Sequence, residues 1–220
     1  MTSPTIKLNI FTNSTASAPS MDIIEATYRS FLRAFCKRPE EMRPTIYLDR
    51  HPNISANRKY AARLYKLFGD LVEVESMSDG YVRSIKYSSA DYLFQLEHDW
   101  QFEEKFIRHS LAEILAVMQE HGLYHFRFNK RENKVAVWDK VMTERVTPAL
   151  TWCESNNLSN NPHIIDRRKY VDELMQYIQV IPGSKGIEEK LNAVGGLVSC
   201  VYGPLGYPAT VTHLDGRRSR

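Results

Sequence analysis

The first hundred residues alternate short apolar runs with longer amphipathic ones, and this alternation constrains the fold more than any other feature. Lys7 to Phe11 reads as a strand ending in Thr12-Asn13-Ser14. Thr45 to Leu48 reads as a second, closed by Asp49-Arg50-His51-Pro52, and Leu71 to Val74 as a short third. Between them, Asp22 caps a helix through about Lys37 with Ile24, Tyr28, Phe31, Leu32 and Phe35 on one face. Asn57 to Phe68 forms a second helix carrying Tyr60, Leu64, Tyr65 and Phe68, and Asp79 starts a third, basic one with Arg83 and Lys86. Strands separated by helices imply crossovers, hence a parallel sheet with helices on its faces. The expected fold class is α/β: one domain over 1–220, with a mostly parallel Rossmann-like sheet and a mixed, partly antiparallel second half.

The fourth strand carries the chemistry. Asp91-Tyr92-Leu93-Phe94-Gln95-Leu96 is apolar enough for a buried strand and too short for a helix, and it runs directly into Glu97-His98-Asp99-Trp100. Open α/β sheets bind ligands at the carboxyl ends of their strands. Carboxylate oxygens beside a ring nitrogen at that place suit a divalent cation held against a phosphate.

After Phe102 the pattern changes. Glu103 to His121 reads as one long helix with Ile107, Leu111, Ile114, Leu115 and Met118 facing inward. Alternation at Tyr124, Phe126 and Phe128, and again at Val135 and Val137, predicts an antiparallel hairpin turning at Lys130-Arg131-Glu132-Asn133. Ala149 to Cys153 is a further apolar piece, followed by a polar loop from Glu154 to Pro162. Asp166 to Val180 and Ile187 to Val194 have helical spacing. The tail from Gly203 is rich in glycine and proline, placing a flexible segment before His213.

Composition bounds the function classes. Hydrophobic residues at 43% and charged ones at 25% describe an ordinary soluble chain, and 220 residues bury a sizeable core. A net charge of +3 is too small to argue for nucleic acid, although Arg217, Arg218 and Arg220 make a basic end. Cys36, Cys153 and Cys200 are scattered and in no metal-ligand spacing, which fits a reduced compartment. No apolar run approaches membrane-spanning length and the start lacks the pattern of a signal peptide, so a cytoplasmic location without a membrane span is expected. The sequons at Asn13, Asn53 and Asn157 are then idle.

This order of elements, with an acidic segment after the fourth strand and a mixed second half, resembles the GT-A glycosyltransferases. Their Asp-x-Asp motif stands at this place, and Leu96-Glu97-His98-Asp99-Trp100-Gln101-Phe102 resembles its Leu-Glu-Asp-Asp-Trp-x-Phe version. His98 replaces the middle carboxylate here, so the resemblance implies a metal grip resting on Asp99 with Glu97 nearby. Thr212-His213-Leu214-Asp215-Gly216 is similar to the C-terminal segment that supplies a metal-binding histidine, which makes His213 the second ligand. An Asp/His pair suits Mn²⁺ better than Mg²⁺.

The resemblance also implies donor contacts from Gly80 and Arg83 on the third helix, together with Glu97 and His98. Thr12 and Asp49 stand where a nucleobase and ribose would lie. Glu154 and Asp166 are the candidate bases for an acceptor hydroxyl, Asp166 being equally a helix N-cap. The implied function is metal-dependent transfer of a hexosyl-type sugar from a nucleotide-sugar donor to a glycan or other hydroxyl acceptor. Residues up to about 102 would form the donor half, and those from about 103 the acceptor half with its metal-binding tail.

Two other classes compete. A metal-dependent hydrolase would draw on His51, His98, Asp99 and His213, but no His-x-His or His-Glu-x-x-His pair occurs. A binding module that holds nucleotide or glycan without turnover would explain His98. The absence of a Walker A sequence and of Gly-x-Gly-x-x-Gly disfavours ATPases and dinucleotide enzymes.

Overall fold

The structure, a computed structural model, describes residues 4–13, 21–36, 42–50, 54–178 and 188–214. Ser14, Lys37, His51, Asn53, Val180, Ile187, Asp215 and the three terminal arginines therefore lie outside the described residues.

The chain runs β1 (Ile6–Asn13), α1 (Met21–Phe35), β2 (Thr45–Asp49), α2 (Ile54–Phe68), β3 (Leu71–Val74), α3 (Met77–Tyr87) and β4 (Tyr92–Glu97). It continues through β5 (Trp100–Phe102), α4 (Leu111–His121), β6 (His125–Arg127), β7 (Met142–Val146), β8 (Thr151–Ser155) and β9 (His163–Asp166). A short α5 (Arg167–Lys169) widens into a π-turn and ends in a 3₁₀ turn at Tyr177. Then follow α6 (Glu188–Val194), β10 (Ser199–Tyr202) and β11 (Val211–His213). Nine strands form one sheet in the order β3-β2-β1-β4-β9-β6-β10-β8-β7, and β5 pairs with β11 in a separate ribbon. The first four strands are parallel. β9 then enters antiparallel between β4 and β6, and β8 is antiparallel to both β10 and β7.

The sheet is covered on both sides, as a largely parallel sheet must be. Leu8, Ile10, Ile46, Leu48, Phe94, Leu96, Phe126 and Ile164 pack against Ile24 and Phe31 of α1, Tyr60 and Leu64 of α2, and Leu111, Ile114 and Met118 of α4. Phe11, Tyr47, Leu93 and Ile165 point the other way, toward Tyr81 and Ile85 of α3, Tyr170 and Leu174, and Leu191 of α6. Phe31 meets Phe94 edge-on with ring centroids 4.9 Å apart, seating α1 on the central strand. The α/β class with a largely parallel sheet and a mixed, partly antiparallel second half is as the sequence predicts, whereas the separate β5–β11 ribbon is not among the expected strands. The helix faces agree except at the ends, where Tyr65 and Tyr177 are exposed.

Three elements differ. Glu103 to His121 is not one helix: a 3₁₀ turn (Glu104–Phe106) precedes α4, which starts only at a capping box. Ser110 accepts from the Glu113 amide while the Glu113 carboxylate takes the Ser110 amide. The hairpin after Tyr124 does not form. β6 stops at Arg127, and Val135 and Val137 turn to solvent, 61% and 77% exposed. Their alternation is that of a loop held by outside partners, since Phe128 donates to the Pro162 carbonyl and Asn133 to that of Tyr207. Finally, the stretch from Glu154 to Pro162 is a loop only from Asn156, and four-residue His163–Asp166 is a central strand.

Candidate functional site

The parallel part of the sheet changes direction of winding between β1 and β4. β2 and β3 lie on one side of β1, and the chain returns to place β4 on the other. Such a switch point opens a crevice at the carboxyl ends of the two strands. Asn13, Asp49 and Glu97 end their strands at this edge, with Asn13 opposite Asp49 and Phe11 opposite Glu97.

The turn after β4 is held firmly. The His98 amide donates to the Phe11 carbonyl (2.9 Å) and its carbonyl accepts from the Thr27 hydroxyl (2.6 Å). The chain then enters β5, where Trp100 faces His213 of β11 in register. That pairing brings two distant segments together. His213 Nδ1 lies 3.4 Å from Asp99 Oδ2, and the Leu214 amide donates to the Asp99 carbonyl (2.8 Å). The His213 ring also lies over Trp100, with centroids 3.7 Å apart. Asp99 is 4% exposed, whereas Glu97 and His213 face an open cleft of about 510 Å³.

The Gly203-Pro204-Leu205-Gly206 segment is a tight turn rather than an open hinge. The Asn133 side-chain nitrogen lies within hydrogen-bond distance of the carbonyls of Tyr202, Gly203 and Pro204. Gly203 has φ +91°, and a Cβ there would fall 2.4 Å from the Tyr207 ring, so the turn depends on glycine.

The remaining candidates divide. Gly80 lies on α3 against the sheet. A Cβ on it would stand 3.2 Å from Val74 Cγ2 and 3.3 Å from Tyr47 Cβ, so this glycine sets the close approach of helix to strands. α3 begins at Ser76, whose hydroxyl accepts from the Asp79 amide, and Arg83 donates from Nε to Asp79 Oδ1 (2.9 Å) on a half-exposed face. Thr12 is fully buried, its hydroxyl 2.8 Å from that of Tyr60. Asp166 caps α5 by accepting from the Lys169 amide (3.0 Å). It pairs with Tyr92, the first residue of β4, about 16 Å along the strand from Glu97. Glu154 binds Arg145 (2.8 Å) in β8, four strands and about 19 Å across the sheet from Phe94. The structure thus brings Glu97, Asp99 and His213 together and leaves Glu154 and Asp166 apart from them.

The cleft beyond β4 contains residues that the sequence pattern does not single out. Its floor is Arg127, 1% exposed, which donates to Asp139, the Ser199 hydroxyl (3.3 Å) and Asn129 (3.4 Å); Asp139 also accepts from Ser155 (2.5 Å). Burial pulls the Arg127 pKa down, and the Asp139 charge and hydrogen bond oppose this. Its carboxylates are Glu97, Glu132, Asp139 and Glu188. The signal in the sequence is the polar spacing Asn129, Asn133 and Asp139 around Lys130-Arg131-Glu132, legible only once β6 is known to end at Arg127. Beneath the floor, on the α3 side, His163 stacks on His125 (4.5 Å). Tyr81 bonds His163 (2.6 Å) and Tyr170 bonds His125 (2.6 Å).

Two facing donors make a partial cation site. Adjacent ligands of an octahedral ion stand about 3 Å apart, and the Asp99–His213 separation is close to that. Among the described residues no group of three or more His, Cys, Asp or Glu side chains forms a complete metal cage, so other ligands would have to come from a substrate or water.

No protein-family model matches the chain, and none of the curated proteins does. Among solved structures it is similar to the crystal structure of S. aureus TarS 1–349, at 13% identity and TM-score 0.56, over 94% of this chain and 59% of that one. It is also similar to S. aureus TarS 1–349 in complex with UDP-GlcNAc, at 11% identity and TM-score 0.54, over 97% and 62%. The chain spans about three-fifths of those structures, and at these identities the likeness is one of fold. The architecture is GT-A-like.

Proposed function

We propose that this chain is a glycosyltransferase that moves a sugar from a nucleotide-sugar donor to an acceptor hydroxyl. The observation that carries this reading is the Asp99–His213 contact. It joins the middle of the chain to a segment more than a hundred residues later at the carboxyl edge of β4, beside the β1/β4 switch point. The likeness in fold to a structure that holds UDP-GlcNAc supports a uridine-type donor as the first to test.

In this reading the nucleoside lies over the ends of β1 and β2, near Asp49, and the diphosphate between α3 and Asp99. Arg83 faces the phosphates, with Nε fixed by Asp79 and the rest of its guanidinium available. Asp99 and His213 would hold a divalent cation, Mn²⁺ in preference to Mg²⁺ because one donor is a nitrogen. When bound, such an ion supplies charge neutralisation for the departing nucleoside diphosphate. Asp99 is buried and its backbone carbonyl is held by the Leu214 amide, which fixes the turn that carries the carboxylate, and the Trp100 ring packs against the His213 imidazole. The sugar then projects past Glu97 into the cleft. A base for the acceptor hydroxyl falls to a cleft carboxylate, Glu132 or Glu188, before Glu154 or Asp166, which lie elsewhere.

The test is a thermal-shift titration with UDP, with and without Mn²⁺, on wild type and Asp99→Asn, followed by UDP-GlcNAc hydrolysis. Wild type should gain more from the pair than from either alone, by about 2.7 kcal/mol at a hundredfold excess over Kd. Asp99→Asn should keep its unliganded Tm and lose the Mn²⁺-dependent part. A wild type indifferent to every nucleoside diphosphate overturns the reading.

A further inference from the structure

One wall of the cleft is built from an irregular loop that the donor contacts proposed above do not use. Between β6 and β7, residues 128–141 contain no helix or strand, yet three buried side chains pin them. Asn129 receives the Thr210 amide on its carbonyl (2.8 Å) and the Asn161 side chain on its amide oxygen (3.4 Å). Asn133 grips the 203–207 turn, and Asp139 is fixed by Arg127 and Ser155. A loop fastened at its base in this way presents its outward residues in a fixed arrangement, as binding loops on rigid scaffolds do. The outward residues lining the cleft are Lys130, Arg131, Glu132, Lys134 and Trp138.

Their charges are not all spoken for. Arg127 is matched by Asp139, and Lys134 by Glu132 at 3.6 Å. Arg131 has no carboxylate within ion-pair distance among the described residues. Its guanidinium carbon instead lies 5.5 Å from the centroid of the Trp138 ring, itself 60% exposed. An arginine stacked on an aromatic face is pre-oriented and keeps its forked donors for a planar or tetrahedral anion. A second feature points the same way. Trp100 lines the cleft, is 2% exposed, and its buried indole N–H has no acceptor among the described residues. A buried donor left unmatched in a native protein calls for a ligand or water.

We propose that this cleft binds an acceptor carrying an anionic group, a phosphate or a carboxylate, close to its reacting hydroxyl, with Arg131 contacting the anion. The word acceptor rests on the glycosyltransferase reading; the anion site itself does not. The two walls differ in charge in the way this requires. On the loop, Glu132 is matched by Lys134 and Asp139 by Arg127, which leaves the Arg131 charge beside the Trp138 face, while Glu97 and His213 lie on the side of the β4 turn, where the hydroxyl would meet the donor sugar.

The experiment is calorimetry on the full chain at low salt with three probes: glucose, glucose 6-phosphate and glucuronic acid. Each is measured alone and with saturating UDP, on wild type, Arg131→Ala and Arg131→Lys. At least one charged probe should bind tenfold or more tightly than glucose, and which of the two does so identifies the anion. Arg131→Ala should abolish that preference without changing the Tm or the affinity for glucose, and Arg131→Lys should retain part of it. Binding should persist when UDP is present. No preference over glucose in wild type, or an unchanged preference in Arg131→Ala, overturns the proposal. So does competition with UDP, which would assign these cations to the donor diphosphate. Arg131-dependent binding in a protein that ignores UDP would retain the anion site and discard the transferase reading, so the two fail separately.

Discussion

Lowering the pH from 7.5 to 5 adds protons to histidines in the unfolded chain but not to His163 and His125 in the folded one. His163 is fully enclosed, and burial holds its pKa down to about 4, with the Arg127 charge adding to the effect and the Asn161 carbonyl opposing it. His125 lies well below its ordinary value, chiefly through burial, then through His163 and Arg127. Both are faced by Tyr81 and Tyr170, whose phenols burial pushes far above the neutral range, so neither supplies a negative charge. Below about pH 6.5 the unfolded state therefore binds more protons than the folded one, and stability falls as pH falls. A protonation lost at about 1.36 kcal/mol per pH unit over the 1.5 units between about 6.5 and 5 costs about 2 kcal/mol for His163, and His125 adds to the loss in the same direction. For His163 the decline ends near its folded pKa of about 4. Urea unfolding at pH 7.5, 6.5, 5.5 and 5 measures it. His163→Gln, which keeps an acceptor for the Tyr81 hydroxyl, should remove the roughly 2 kcal/mol that His163 contributes and leave the part due to His125. A flat profile over this range, or an NMR titration of His163 near 6.5, would refute the reasoning.

Asp139→Ala leaves Arg127 charged and buried without its carboxylate, and should cost about 3–5 kcal/mol by denaturant unfolding. Replacing both by similar-sized apolar residues, Arg127→Met with Asp139→Leu, should recover most of that loss, and failure to do so would mean the pair is not the source. Gly80→Val forces α3 away from Tyr47 and Val74 and should cost about 1–3 kcal/mol as overpacking, read as a fall in Tm; an unchanged Tm would show that the helix can shift freely.

The first half of the chain was legible because each of its elements satisfies a local rule. Its strands are runs of buried residues bounded by polar turns, and its helices show one apolar stripe, so periodicity alone finds them. The second half resists because its strands are short and their partners distant. His163–Asp166 has only four residues, and nothing local marks it as central; it is a strand because Phe94 and Phe126 flank Ile164 on either side. Ser199–Tyr202 is the same case, lying between β6 and β8. Val135 and Val137 show the opposite error, strand-like alternation without a neighbour to pair with. At the proposed site, Glu97 and Asp99 stand out by residue type and His213 only through the family resemblance. The Arg127–Asp139 floor does not stand out, because an expected hairpin turning at Lys130-Arg131-Glu132-Asn133 hides a contact made only when the loop folds back.

The reversed strand β9 explains why donor and acceptor regions lie side by side in the proposed site. In a sheet continuing parallel beyond β4, the next strand would bring only the loop leaving its carboxyl end to the ligand edge. β9 runs the other way, so the loop entering it, with Asn160 and Asn161, reaches the same edge as Glu97. β6 resumes the original direction one strand further on, and the loop leaving it, with Lys130 to Trp138, arrives there too. Three loops thus converge within two strand spacings, about 10 Å, leaving room for a cleft and no room for an intervening helix. The β5–β11 ribbon then fixes Asp99 and His213 at the boundary between the β1/β4 crevice and that cleft. A sugar carried across that boundary meets an acceptor from the other side, which is the geometry transfer needs.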